Sequence, residues 1–280
     1  METAGPIGFG ADTTGGAGGP TVRVSSADAL EDALAGTERR VVQVQGTIRL
    51  DDMVRVGSNK TVEGVGGARL TGGGLNIRQA DNVIVRNLTI TGSDDDDINV
   101  ENSTNVWIDH NDLSDADDGA LDIKRGSDRV TVSWNHFHDQ DKNALLGHSD
   151  DNAGQDRGRL HVTYHHNWFD GTNQRNPRVR FGNPVHVFNN YYVNIGGYGV
   201  ASTREAGVLV EANYFENVDD PFHLGEGDSP PGSLVARDNH LVGSGRGQSG
   251  GRVASIPYAY EPDPASSVRD IVIAGAGPQS

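Results

Sequence analysis

Aspartates are concentrated at two places in this chain, about one sequence repeat apart. The run Asp94–Asp97 is followed by Asp118 and then by Asp122. Asp118 lies about one repeat after Asp94, so in stacked coils these two residues should be opposite each other. Alternate residues of a strand share a face, so Asp94 and Asp96 should project together, and so should Asp118 and Asp122. Four carboxylates on one face repel each other unless a cation neutralises them. Oxygen-only ligands in a chain without cysteine suit Ca²⁺ better than Zn²⁺, although an acidic run can also be a solvated turn.

Basic side chains form a second group, which stands out because the formal net charge of the chain is −16. Arg175, Arg178 and Arg180 lie close together in the sequence, and Lys142 precedes them. Guanidinium groups bind carboxylates through paired hydrogen bonds, so this segment is a candidate site for an anionic ligand. The alternative is that these arginines pair with surface aspartates. The histidines form no zinc-enzyme pattern such as HExxH.

The composition argues against several classes of protein. A chain this acidic is not expected to bind nucleic acid, because phosphate binding requires a basic face. No stretch approaches the roughly 18 apolar residues of a membrane span, so no membrane partner is expected. The first residues lack the basic and apolar regions of a signal peptide. If the protein is secreted, the chain would correspond to the mature form with a starting Met added.

The elements that position these residues follow from an internal repeat. Six segments share the frame apolar-x-apolar-x-x-Asn-x-apolar, and a looser copy ends near Asn87. Alternation before the asparagine predicts a strand. The asparagine predicts a tight turn in the left-handed conformation, with an amide that can bond along a stack. The six asparagines are Asn111, Asn135, Asn167, Asn190, Asn213 and Asn239.

The asparagines recur at nearly regular intervals, and a repeat of about 23 residues is typical of a solenoid whose coils stack on one another. We therefore expect an all-β fold, a right-handed single-stranded parallel β-helix that forms a single domain over residues 1–280. The alternative β-sandwich would space its strands at about 8–12 residues. Residues Ser25–Leu34 predict a short N-terminal capping helix with a serine N-cap. The longer interval between Asn135 and Asn167 predicts an inserted loop around residues 147–158.

In this setting the sequence resembles polysaccharide lyase family 1, the pectate lyases. The resemblance runs from about residue 8 to residue 240 with its motifs in order. The matching segments are Gly8–Ala11, Thr13–Gly16, Asn59–Thr61, Asn87–Leu88, Val106–His110, Asp118–Asp122, Thr131–Ser133 with Lys142, and Arg175-x-Pro177-x-x-Arg180-x-Gly182.

The resemblance implies a secreted, monomeric, calcium-dependent enzyme. It would cleave α-1,4-linked polygalacturonate by β-elimination and release 4,5-unsaturated oligogalacturonides. The sister pectin lyases lack the acidic quartet, so its presence here favours the de-esterified, anionic polymer. By motif, the calcium ligands fall on Asp94, Asp96, Asp118 and Asp122, the catalytic base on Arg175, and the substrate-binding cations on Lys142 and Arg180.

Two other functions remain open from the sequence. A β-helical polygalacturonase would use an acid and a second carboxylate to hydrolyse the same bond. Asp117 and Asp118 could mimic that pair, but the arginine segment would then have no role. A non-catalytic solenoid could instead bind cell-wall polysaccharide through calcium without turning it over.

Overall fold

The computed structural model describes residues 5–279, and its strands outnumber its helices. The elements in chain order are β1 (Thr21–Val24), α1 (Ala27–Leu34), β2 (Arg40–Arg49), β3 (Val54–Arg55), β4 (Lys60–Thr71), β5 (Leu75–Arg78), β6 (Asp81–Arg86), β7 (Thr89–Thr91), β8 (Ile98–Glu101), β9 (Thr104–Asp109), β10 (Asp112–Ser114), β11 (Gly119–Lys124), β12 (Asp128–Ser133), β13 (His136–His138) and β14 (Lys142–Leu146). They continue with α2 (Ala153–Asp156), β15 (Val162–His165), β16 (Trp168–Asp170), β17 (Arg178–Arg180), β18 (Val185–Phe188), β19 (Tyr191–Val193), β20 (Val200–Thr203), β21 (Gly207–Glu211), β22 (Tyr214–Glu216), β23 (Phe222–Leu224), β24 (Ser233–Arg237), β25 (His240–Val242) and α3 (Ala265–Gly275). The starting Met considered above lies outside the described residues.

These strands stack in parallel into three ladders. Ladder 1 contains β1, β2, β4, β6, β9, β12, β15, β18, β21 and β24. Ladder 2 contains β7, β10, β13, β16, β19, β22 and β25, and the second halves of β2 and β4 extend it. Ladder 3 contains β3, β5, β8, β11, β14, β17, β20 and β23. One coil supplies one strand to each ladder, so the predicted parallel β-helix is confirmed.

The repeated asparagines form a buried ladder of amides inside the solenoid. In each step, the side-chain amide of one asparagine donates to the Oδ1 of the next, at 2.9–3.0 Å. The backbone N–H of each donor asparagine bonds to the same oxygen. The predicted bonding along the stack is therefore present.

The left-handed conformation lies one residue earlier than the sequence predicted. It is adopted by the residue before each of the six asparagines, with φ between 52° and 56°, whereas Asn87 itself adopts it in the looser copy. The physical reason is that the backbone N–H and the amide of each repeated asparagine are both committed to the ladder. The preceding residue therefore makes the turn, and it includes types as different as His110 and Ala212.

Helix α1 is the predicted N-terminal helix. Ser26 is its N-cap and accepts a hydrogen bond from the N–H of Ala29, at 3.4 Å. Leu30 and Leu34 are fully buried in the main hydrophobic core, so the helix packs against the apolar interior of the first coils. The inserted segment before β15 carries the short helix α2.

Helix α3 was not predicted. Its Val268 and Val272 are buried against Tyr191, outside the solenoid and over ladder 2. Their spacing of four residues is helical, but only the folded solenoid supplies the aromatic surface that covers them. Within residues 5–279, no helix is long and apolar enough to cross a membrane.

Candidate active site

The acidic residues lie on ladder 3, where β11 stacks on β8. The register pairs Leu121 with Ile98. The same register places Asp118 opposite Asp95, and the N–H of Asp118 donates to the carbonyl of Asp95 at 3.3 Å. The spacing in the sequence had instead placed Asp118 opposite Asp94, so the predicted pairing is wrong by one residue.

Asp96 and Asp122 face each other across this step, with a lysine between them. Both residues are buried, at 1% and 2% exposure. The Nζ of Lys124 lies 3.1 Å from Oδ2 of Asp96 and 3.1 Å from Oδ2 of Asp122. The other oxygen of Asp96 accepts from the N–H of Gly119 at 2.9 Å. Lys124 therefore screens two carboxylates that would otherwise repel each other.

Burial and the nearby charges shift the pKa values of Asp96, Asp122 and Lys124. Burial, followed by the charge of Asp122, raises the pKa of Asp96 to about 7. Burial also raises the pKa of Asp122. For Lys124, burial alone would lower the pKa, but the Asp122 and Asp96 carboxylates outweigh it and the net shift is upward. Such a cluster favours a bound cation, because a cation stabilises the ionised carboxylates.

Two further carboxylates lie close to Asp96, one from the preceding residue and one from the next coil. Among residues 5–279, one oxygen from each of Asp95, Asp96 and Asp118 lies within 4.8 Å of the others. Asp94 is exposed and is outside this group. Strand β8 begins only at Ile98, and the run before it is a bend. The alternation expected for a strand therefore does not apply there.

The donor set fits calcium. It consists of carboxylate oxygens that approach from different segments, which Ca²⁺ accommodates because its coordination is flexible. Gly119 leaves room for the carboxylates of Asp96 and Asp122. A Cβ added at Gly119 would lie 2.5 Å from Oδ1 of Asp122 and 3.0 Å from Oδ1 of Asp96. Any side chain at position 119 would push into the two carboxylates.

The basic residues line the same ladder in the next two coils. Lys142 stacks on Gly119, and its Nζ lies 2.9 Å from Oδ1 of Asp118. Arg175 precedes β17 with φ of 61°, and its Nε is buried without a hydrogen-bond partner among the described residues. Its charge acts on Asp122, whose pKa it lowers against the larger effect of burial. Lys142 and Arg175 thus border the carboxylate group.

Strand β17 presents Arg178 and Arg180 on one face, with Val179 buried between them. Arg180 donates from Nε to Asp150 at 2.7 Å and from Nη1 to the carbonyl of Gly147 at 3.1 Å. Arg178 donates to Ser229 Oγ at 2.8 Å. Asp150 belongs to the inserted segment. Arg180 therefore pairs with an aspartate, which is what the alternative explanation of these arginines expected.

The structure thus brings Asp96, Asp118, Asp122, Lys142 and Arg175 to one face of the solenoid, and Arg180 follows on β17 in the same coil as Arg175. Sequence reasoning missed Lys124. Its spacing of two from Asp122 on a predicted strand was the signal that could have identified it. It also missed Asp95 and Asp150, whose positions depend on register and on the inserted segment.

Comparison with known proteins gives one consistent result. The family profile described as pectate lyase matches residues 1–258. A probable pectate lyase B of Aspergillus terreus is 40% identical over 268 residues, covering 90% of this chain and 82% of its own. A pectate trisaccharide-lyase of Thermotoga maritima is 37% identical over 327 residues, covering 97% of this chain and 88% of its own. A pectate lyase from Bacillus sp. N165, solved in complex with trigalacturonate, superimposes with a TM-score of 0.89 at 29% identity, covering 98% of both chains.

Proposed function

Because the chain belongs to the pectate lyase family and is a polysaccharide lyase, we propose that it cleaves α-1,4-linked polygalacturonate by calcium-dependent β-elimination. The observation that carries this proposal is the buried carboxylate pair Asp96 and Asp122, bordered on the same ladder by Lys142 and Arg175. Anionic and cationic groups side by side suit a polyanion that binds through a cation and through direct ion pairs.

The reaction needs a base at C5 and stabilisation of the neighbouring carboxylate. The base removes the C5 proton, the electron pair forms the C4=C5 double bond, and the C4–O4 bond breaks. The departing O4 then takes up a proton. Negative charge accumulates on the uronate carboxylate as the C5 proton leaves, so groups that stabilise this charge lower the barrier.

We assign Asp96, Asp118 and Asp122 as ligands of the Ca²⁺ ion. The family motif supplies Asp94 as the fourth ligand, whereas proximity favours Asp95. When bound, Ca²⁺ would supply positive charge to the uronate carboxylate and link it to the protein. These aspartates thus hold the substrate through the ion rather than reacting themselves.

A protonated guanidinium has no acceptor for a proton, so we assign Arg175 in its neutral form as the group that accepts the C5 proton. We assign Lys142 and Arg180 as cations that bind uronate carboxylates. The motif position of Arg175 supports its role, and its buried Nε has no hydrogen-bond partner among the described residues. Arg180 must exchange Asp150 for a substrate carboxylate. Lys142 can bridge Asp118 and substrate.

Further parts of the proposal concern the protein as a whole. We propose that residues 1–280 act as one catalytic domain, that the protein works as a monomer outside the cell, and that it prefers de-esterified substrate. The relative from Bacillus sp. N165 was solved with trigalacturonate, which supports an oligogalacturonate ligand here.

One assay tests the proposed reaction against its two alternatives. Polygalacturonate is incubated with the protein and Ca²⁺, and near-ultraviolet absorbance is followed together with reducing ends. A lyase raises both, because each cut creates a conjugated double bond. A hydrolase raises reducing ends alone, and a binding protein raises neither. Excess EGTA should abolish the absorbance change, and Ca²⁺ should restore it far better than Mg²⁺, which demands stricter octahedral geometry. Full activity in EGTA would contradict calcium dependence.

A further inference from the structure

A second group of potential metal ligands lies on ladder 2, away from the candidate active site. Strands β10, β13 and β16 stack there, with Asp112 beside His136 and Ser114 beside His138. In the next coil, Trp168 lies beside His136 and Asp170 beside His138. Phe137 is fully buried between the two histidines, so their imidazoles project from the outer face of the solenoid.

Asp112 touches both histidines. Its Oδ2 lies 3.0 Å from Nδ1 of His136, and its Oδ1 lies 3.3 Å from Nε2 of His138. The two imidazole rings are stacked with centroids 4.5 Å apart, and Trp168 stacks on the other side of His136 at 4.4 Å. One potential ligand atom from each of Asp112, His136 and His138 lies within 4.8 Å of the others.

We propose that Asp112, His136 and His138 form a binding site for a divalent transition-metal ion such as Zn²⁺. Two nitrogens and one carboxylate oxygen are donors that suit Zn²⁺, Ni²⁺ and Cu²⁺ rather than Ca²⁺. Ligand atoms about 2.0–2.1 Å from a tetrahedral ion lie roughly 3.3 Å from one another. Each histidine nitrogen lies near this distance from one oxygen of Asp112, at 3.0 Å for Nδ1 of His136 and at 3.3 Å for Nε2 of His138.

The outer nitrogens of both histidines supply a second, independent indication. The Nε2 of His136 lies 3.4 Å from Oδ2 of Asp170, and the Nδ1 of His138 lies 2.8 Å from Oδ2 of Asp139. Each ligating imidazole would thus have a carboxylate behind it. This arrangement is typical of metal-binding histidines, because the outer carboxylate fixes the ring orientation and makes the ligating nitrogen more basic.

The test is zinc binding to the full chain by isothermal titration calorimetry. Ca²⁺ is kept saturating so that the aspartate group on ladder 3 is occupied, and a weak competing chelator buffers the zinc. The wild type should bind one more equivalent of Zn²⁺ than the double variant His136→Gln/His138→Gln. Asp139→Asn should weaken binding about 10- to 100-fold, and His138→Gln should weaken it further.

His240→Gln is the matched control, since position 240 continues the row of His136 through Trp168, Tyr191 and Tyr214. It should leave zinc binding unchanged. Cu²⁺ bound to the wild type should give an electron paramagnetic resonance spectrum with coupling to two nitrogens, which each single histidine variant reduces to one. The proposal is overturned if the wild type binds no additional Zn²⁺, or if the double variant binds Zn²⁺ as the wild type does.

Discussion

The Nζ of Lys124 lies 3.1 Å from the carboxylate of Asp122, two residues earlier on the same strand. It is equally close to Asp96, so an ammonium group lies between the two buried carboxylates assigned to calcium. The protein therefore carries its own counter-charge at the site. This lysine screens the carboxylates when no calcium is bound, and it reduces their attraction for calcium.

Lys124→Met should tighten calcium binding, because it removes a positive charge next to two ligands. Calorimetric titration above about pH 8, where Asp96 is ionised in view of its pKa of about 7, measures the effect. Arg78→Met is the matched control, since Arg78 lies two coils earlier in the same row and pairs with Glu101. Weaker calcium binding in Lys124→Met would mean that the lysine organises the carboxylates rather than competing with the ion.

Asp95→Asn and Asp94→Asn decide which residue is the fourth calcium ligand. Proximity to Asp96 and Asp118 favours Asp95, whereas the motif favours Asp94. If Asp95 is the ligand, Asp95→Asn should weaken calcium binding by about tenfold or more, and Asp94→Asn should have a small effect through surface charge alone. The reverse order in a calcium titration would restore the assignment from the motif.

Arg175→Lys should lower kcat by about 10²–10⁴-fold, because the proton acceptor is lost from its position. Circular dichroism and calcium binding should remain as in the wild type. Lys142→Ala and Arg180→Ala should raise KM as well, since both are assigned to substrate carboxylates. Arg159→Ala, at an exposed position, serves as the control. An Arg175→Lys variant with unchanged kcat and a raised KM would make Arg175 a binding residue and Lys142 the next candidate for the base.

Asn190→Ala should destabilise the solenoid more than it impairs catalysis. The Oδ1 of Asn190 accepts from both the N–H and the side-chain amide of Asn167, at 3.0 and 2.9 Å. Each buried donor left unpaired costs about 1–3 kcal/mol, so the free energy of unfolding should fall by at least about 2 kcal/mol. Urea denaturation measures it. Asn173→Ala, at an exposed position, should change stability little, and an equal loss in both variants would argue against the amide ladder as a source of stability.

His138 should make stability depend on alkaline pH. Hydrogen bonding to Asp112 raises its pKa from 6.5 to about 9 in the folded protein. The stabilisation from pairing protonated His138 with Asp112 is then fully present below about pH 6.5, and it is lost as the pH rises through about 9. Urea midpoints measured in EDTA between about pH 6 and pH 10 should fall less for His138→Gln than for the wild type or His240→Gln. Parallel curves for all three proteins would contradict this coupling.

Much of the architecture could be predicted from the sequence, because solenoid coils repeat locally. The frame around Asn111, Asn135 and the later asparagines contains both the alternation of a strand and the amide that stacks inside the solenoid. The serine N-cap of α1 and the parity of Arg178 and Arg180 are likewise local properties of the chain. Patterns of this kind depend on a few neighbouring residues, and the sequence contains them in full.

The contacts between coils were decided only by the tertiary structure. The register between β8 and β11 differs by one residue from the predicted one, and the chain bends before Ile98. Asp118 therefore lies opposite Asp95 and not opposite Asp94. The inserted segment brings Asp150 to Arg180, which is distant in the sequence. In the same way, Asp112 from the coil before and Asp170 from the coil after both meet His136. These pairings depend on register and loop length, and a change of one residue in either alters which side chains meet.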